Sequence, residues 1–148
     1  MSYSVIWEDS RAEFKSIRML HHFESPEDAQ AELDRTNVGY VVSSEVVDFL
    51  DLPADRTFRN VWGHDTTDSP DKVSIDLIKA KAYAHEVRRA RRAEAFVPHD
   101  AAYIIPSSTV AAEASRAEIR KADAANQISI DNSADLAQLK TVLTDTVY

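Results

Sequence analysis

The chain contains no cysteine, which excludes disulfide staples, thiolate nucleophiles and Cys-ligated zinc or iron–sulfur centres together. Glycine is almost as scarce: Gly39 and Gly63 are the only two in 148 residues, where ordinary usage gives about ten. Phosphate-cradling loops and dinucleotide turns need several closely spaced glycines so that backbone can approach phosphate, and two glycines far apart cannot supply them. No apolar run reaches the roughly 18 residues of a membrane span. The amino terminus, Met-Ser-Tyr-Ser-Val-Ile-Trp-Glu-Asp, has no basic segment followed by an apolar one, so the protein is expected to begin in a cytoplasm with no membrane partner. Positive charge is also in deficit, with 17 Lys and Arg against 25 Asp and Glu and a formal net charge of -8. Such a field repels nucleic-acid backbones unless a local patch overrides it.

What is present suffices for one compact core, or for a small core with a helical extension, since 44% of the residues are apolar. Residues 3–7 and 14–20 read as strands, rich in β-branched and aromatic side chains. Ser25 as N-cap, Pro26 at the first helical position and the acids Glu27 and Asp28 predict a helix over 26–35, with Ala29 and Leu33 on one face and Asn37 and Gly39 as its stop. Residues 40–42 read as a short strand. Val46, Val47, Phe49 and Leu50 fit neither period well, and a helical turn capped by Ser43 or Ser44 stays open for them. In 56–62, Phe58 and Trp62 share a face if the backbone is extended, and both are taken as structural anchors. Residues 63–71 read as an exposed loop and 73–75 as a brief strand.

Asp76 then caps a long run of helix formers over 77–95, with Leu77, Ala80, Ala84 and Val87 as its stripe and Pro98 as its end. Residues 102–105 form a connector, and Pro106-Ser107-Ser108 restarts an Ala-rich helix over 109–126. Ser133 caps a last helix striped by Leu136, Leu139 and Leu143. The fold class predicted is α+β: a small mixed domain over 1–75, followed by an all-helical part over 76–148 made of an antiparallel hairpin and a terminal helix.

Few constellations suggest chemistry. His21 and His22 are adjacent and diverge on either a strand or a helix, and no further ligand pattern completes a metal site. The dipeptides His64-Asp65 and His99-Asp100, both read as loop, lack a nucleophile elbow and the glycines to build one. Asp65, Asp68 and Asp71 recur every third residue, whereas a calcium loop places acids at alternate positions with a glycine at the sixth. Arg88, Arg89, Arg91 and Arg92 are the one basic concentration. They can offer a phosphate-binding patch, or they can face the negative helix end and pair with acids of neighbouring helices. No aromatic residue interleaves with them, which favours the second use and makes a nucleic-acid partner the lesser alternative.

The segments Asp55-Arg56-Thr57-Phe58-Arg59-Asn60-Val61-Trp62, Lys72-Val73-Ser74-Ile75-Asp76, Lys79-Ala80-Lys81 and Arg88-Arg89-Ala90-Arg91-Arg92-Ala93 resemble a group of small tailed-bacteriophage proteins. That group follows a Phe-Arg-Asn-x-Trp segment with a short strand, a basic Ala-rich helix and a terminal acidic helix. The resemblance spans about residues 55–143. Val61 stands where the group has alanine, and the loop after Trp62 lacks the group's glycines. The resemblance implies a tail-fibre accessory in the virion tail, or in the host cytoplasm during assembly, acting as an assembly chaperone or as a component kept on the fibre or baseplate. It implies no cofactor, no metal and no catalytic residue. Apolar supply in the helical part is thin, so Leu136, Leu139 and Leu143, with Arg88 and Arg91, are expected to meet a partner, either the fibre protein or a second copy of the chain.

Overall fold

The computed structural model describes residues 2–12, 14, 17–36, 39, 41–67, 72–146 and 148, without the side chains of His21 and Thr36. The chain is α+β and divides into two compact units, Met1–Lys79 and Ala80–Tyr148. The division lies inside the first turn of a helix, not at the composition change near residue 75.

In the first unit, β1 (Tyr3–Asp9) is central, flanked by β2 (Ile17–Phe23) and β3 (Val41–Asp48), both antiparallel to it. Alternation along β1 sends its side chains to two different cores. Val5 and Trp7 meet Ala29 and Leu33 of α1 (Pro26–Thr36), while Ile6 packs with Ile17, Val47, Leu52, Trp62 and Val73. A strand covered on both faces is continuously apolar, and Ser4 through Trp7 are all buried. Helix α1 starts as its sequence predicts, with Ser25 Oγ accepting from the Asp28 N–H at 3.1 Å. Its expected stop at Asn37 falls outside the described residues, as do Lys15 and Tyr40 of the expected strands and Asp68 and Asp71 of the expected loop.

The segment left open at Val46 and Val47 is strand: β3 runs to Asp48 because its valines pair with β1 and Val47 enters the core. Only Phe49–Asp51 forms a short 3-10 turn, capped by Asp48. The expectation of an extended 56–62 is corrected. Arg59–Val61 is a 3-10 turn that leads into β4 (Trp62–His64), which pairs with β5 (Val73–Ile75). With three residues per turn, Phe58 and Val61 fall on the same side, so they and Trp62 are buried while Arg59 and Asn60 point outward. The Arg56 guanidinium lies 4.9 Å from the Trp62 ring centroid.

Three helices make the second unit, α2 (Leu77–Tyr103) contributing all but its first residues, with α3 (Thr109–Asn132) and α4 (Leu136–Asp145). Asp76 caps α2, accepting from the Lys79 N–H at 2.9 Å. Pro98 does not end this helix: it and Glu94 are exposed, so the Glu94 carbonyl that loses its donor can be hydrated. Nor does α3 stop at residue 126. Ile130 continues the buried line of Ala112, Ile119 and Asp123, and the helix runs on with it. Ser108 makes no side-chain cap for α3; its hydroxyl donates instead to the Ala102 carbonyl at 2.7 Å, closing α2. The cap of α4 is Asp135, not Ser133: its carboxylate accepts from the Gln138 N–H at 2.8 Å, while Ser133 terminates α3.

Trp62 is fully buried with five other core side chains of the first unit. Trp62→Ala is therefore expected to destabilise by about 3–5 kcal/mol, read as a lowered denaturant midpoint. An unchanged midpoint would contradict the burial.

Candidate functional site

The arginine-rich turns of α2 face α3 and α4, and their chemistry is set by one carboxylate. Asp123 stands on the buried stripe of α3, where periodicity calls for an apolar residue. Arg88 occupies the matching position of α2, one turn after Ala80 and Ala84. The two meet at 2.6 Å with side chains only 7% and 8% exposed. Arg92 reaches the other Asp123 oxygen at 2.8 Å, and the Tyr148 hydroxyl lies 3.0 Å from the first. Burial acts to raise the Asp123 carboxyl. Hydrogen bonds from Arg92, Tyr148 and Arg88, with the Arg88 charge, outweigh it and hold the group below the ordinary carboxylate range.

Around this centre the helices are tied in sequence. Lys81 donates to the Asp131 carbonyl at 2.8 Å and His85 lies 3.0 Å from the Asp131 carboxylate, which sets α2 and α3 antiparallel. Arg91 donates to the carbonyls of Leu143 at 2.6 Å and Thr146 at 3.4 Å, satisfying the open end of α4. Farther along the hairpin the Arg116 guanidinium sits between aromatic faces, 5.8 Å from the Phe96 centroid and 4.8 Å from that of Tyr103. Arg116 also lies 3.5 Å from Asp100, and Arg120 pairs with Glu113.

This geometry corrects the residues expected to meet a partner. Leu139 and Leu143 are 0% and 6% exposed, covered by the unit's own helices, and Leu136 is half-buried. Arg88 is buried against Asp123 and Arg91 is committed to backbone carbonyls. Leu139, Leu143 and Arg88 are closed off, and Leu136 and Arg91 are half-buried. The stripe is occupied because α4 folds back onto the hairpin, a tertiary event that helical spacing cannot foretell. Asp123, Arg116 and Phe96 were missed, although an acid on an apolar stripe of one helix opposite an arginine on the stripe of the next is a readable sign of a buried pair.

The histidine pairs are also relocated. His99-Asp100 lies within α2, and His64 closes β4 with its side chain 4% exposed, while Asp65 is the first residue of the loop that follows. His64 Nδ1 is 2.8 Å from Ser43 Oγ and Nε2 is 3.1 Å from Glu45, which Lys72 also holds at 2.9 Å. Burial acts to raise the Glu45 carboxyl, but bonds from His64 and Lys72 leave it below its ordinary value. Both ring nitrogens are thus engaged, and the cluster fastens β4 to β3. Asp65 spends its carboxylate on Thr67, accepting from the N–H at 3.0 Å and from the hydroxyl. Among the described residues no three His, Asp or Glu side chains gather as metal ligands, and no helix is long and apolar enough to cross a membrane.

No family model, curated protein or solved structure matches this chain.

Removing the central carboxylate leaves Arg88 buried without its counter-charge. Asp123→Ala is expected to cost about 3–5 kcal/mol, while the double replacement Arg88→Met with Asp123→Leu recovers much of the loss because no charge stays buried. Since the folded state holds Asp123 below its unfolded value of about 4, its stabilisation is complete above that pH and is lost as pH falls through the folded value. Urea titrations across the acid range test this: the acid-side slope is expected to shrink in the double variant, and an unchanged slope would remove Asp123 as its source.

Proposed function

We propose that this chain is a non-enzymatic, protein-binding component of a tailed bacteriophage that acts on the tail fibre, as an assembly chaperone or as a component retained on the fibre or baseplate. The observation that carries the protein-binding part is where its side chains are spent. The arginine cluster is engaged inside the fold, with Arg88 and Arg92 on Asp123 and Arg91 on backbone carbonyls of the last helix. Large apolar side chains at one end of the hairpin are left in solvent: Val97 at 66%, Ile104 at 80% and Val110 at 86% exposure. An apolar surface kept in water marks a place where another chain binds. The tail assignment is supported by the Phe-Arg-Asn-x-Trp segment and the basic Ala-rich helix that follows, in the order of the phage group they resemble. The site of action is then the virion tail, or the host cytoplasm during assembly, with no cofactor required.

Use of the arginine cluster for nucleic acid has less support. Arg88 and Arg91 are committed within the fold, Arg92 shares Asp123, and Arg89 pairs with Glu86 at 3.2 Å. Affinity for a phosphate backbone comes from cations that exchange counterions for phosphate, and these already have partners.

Co-expression of the tagged chain with the fibre protein encoded beside it, together with mass spectrometry of purified particles, tests the reading. Capture of the fibre protein, with or without retention in particles, is expected and separates chaperone from virion component. Absence of both, or a gel shift with duplex DNA that vanishes as salt rises, would replace it.

A further inference from the structure

Helix α4 covers only part of the hairpin. Its last turn is closed by Arg91, and the following segment ends with the Tyr148 hydroxyl on Asp123. One turn farther along α2 a cavity of about 340 Å³ opens between α2 and α3, lined by Arg92, Ala93, Phe96, Asp100, Arg116 and Arg120. We infer that this groove is a docking site for an acidic, amphipathic helix of a partner protein. The inference rests on the reading of the chain as an interaction protein, but not on the identity of its partner.

The shape argues for a helix. Two antiparallel helices already seat α4 on the neighbouring stretch, where Leu139 and Leu143 are buried, and the same pair of helices continues past its end. The charge argues for acid. In and beside the groove four guanidiniums, those of Arg88, Arg92, Arg116 and Arg120, share three carboxylates, Asp123, Asp100 and Glu113. The Arg116 Nε is buried and makes no hydrogen bond, with Asp100 at 3.5 Å and Glu113 at 3.8 Å as ion-pair neighbours only, and a carboxylate entering beside it would supply a direct bond. The positive excess sits on a chain of net charge -8, so it is a local exception. The apolar face of the incoming helix meets Phe96 in the groove, and Val97, Ile104 and Val110, outside its lining, are exposed toward the connector between α2 and α3. A second copy of this chain is a poorer occupant, because two bodies of net charge -8 repel at low salt.

The probe is a synthetic peptide of Leu and Glu at helical spacing, compared with its Leu and Lys counterpart, titrated at low salt into the full chain and followed by NMR. The Glu peptide is expected to bind, shifting the amides of Phe96 and Arg116, to weaken with added salt, and to outbind the Lys peptide. Ala93→Glu and Val110→Asp alter exposed positions without touching the core, and each is expected to weaken the Glu peptide by about tenfold or more with the melting temperature unchanged. Equal binding of both peptides, no binding, or indifference to both substitutions overturns the inference, as does sedimentation showing a dimer that closes the same groove. Failure of fibre capture alongside an intact Glu-peptide response removes the tail assignment alone. Fibre capture that survives both substitutions, with no peptide response, removes the groove alone.

Discussion

The helical unit depends on a buried carboxylate. Its buried apolar positions combine Ala80, Ala84 and Ala112, which cover little area at about 25 cal/mol per Å², with Ile119, Ile130, Leu139 and Leu143. Asp123 supplies what alanine cannot: Arg88 and Arg92 from α2 and Tyr148 from beyond α4 converge on it. Removing such charges from water is expensive, and the gain depends on satisfying both carboxylate oxygens at once. The same geometry specifies one arrangement, because a slip of the hairpin by a turn would leave Arg88 and Asp123 buried and unpaired.

The mixed unit solves the opposite problem, having apolar side chains to cover on two faces of one strand. Helix α1 covers the Val5 and Trp7 side of β1, and the Trp62 and Val73 layer covers the Ile6 side. The contacts of the His64 ring with the Ser43 hydroxyl and the Glu45 carboxylate then fix where β4 lies against β3. The buried imidazole is a fastening between strands, with one nitrogen on the Ser43 hydroxyl and the other on the Glu45 carboxylate.

Spending polar groups inside while leaving Val97, Ile104 and Val110 in water gives the chain a recognisable economy. Internal order in the helical unit uses charges and hydrogen bonds beside apolar packing, and exposed apolar side chains stand at this end of the hairpin as well as at Val42, Leu50, Ile78 and Ile128. On the proposed reading, the positive groove of a chain with net charge -8 selects an acidic partner through charge as well as shape.

Local signals in the sequence determined the α+β class, the start of α1 at Ser25 and Pro26, the start of α2 at Asp76, and the long Ala-rich helices, because caps and helical periodicity act within a turn of the chain. They also marked Phe58 and Trp62 as anchors, since large aromatic side chains in a short segment must be covered. Only the tertiary structure decided the rest. Pro98 stays inside α2 because solvent reaches the carbonyl it leaves free, a matter of which face is exposed. Leu139 and Leu143 are core and not surface because α4 turns back on the hairpin. Arg88, expected to pair with acids of neighbouring helices or to meet a partner, is buried because Asp123 lies 35 positions along the chain and a few ångströms away in space. Spacing along a helix states which side chains share a face; it carries no information about which other face arrives to cover them.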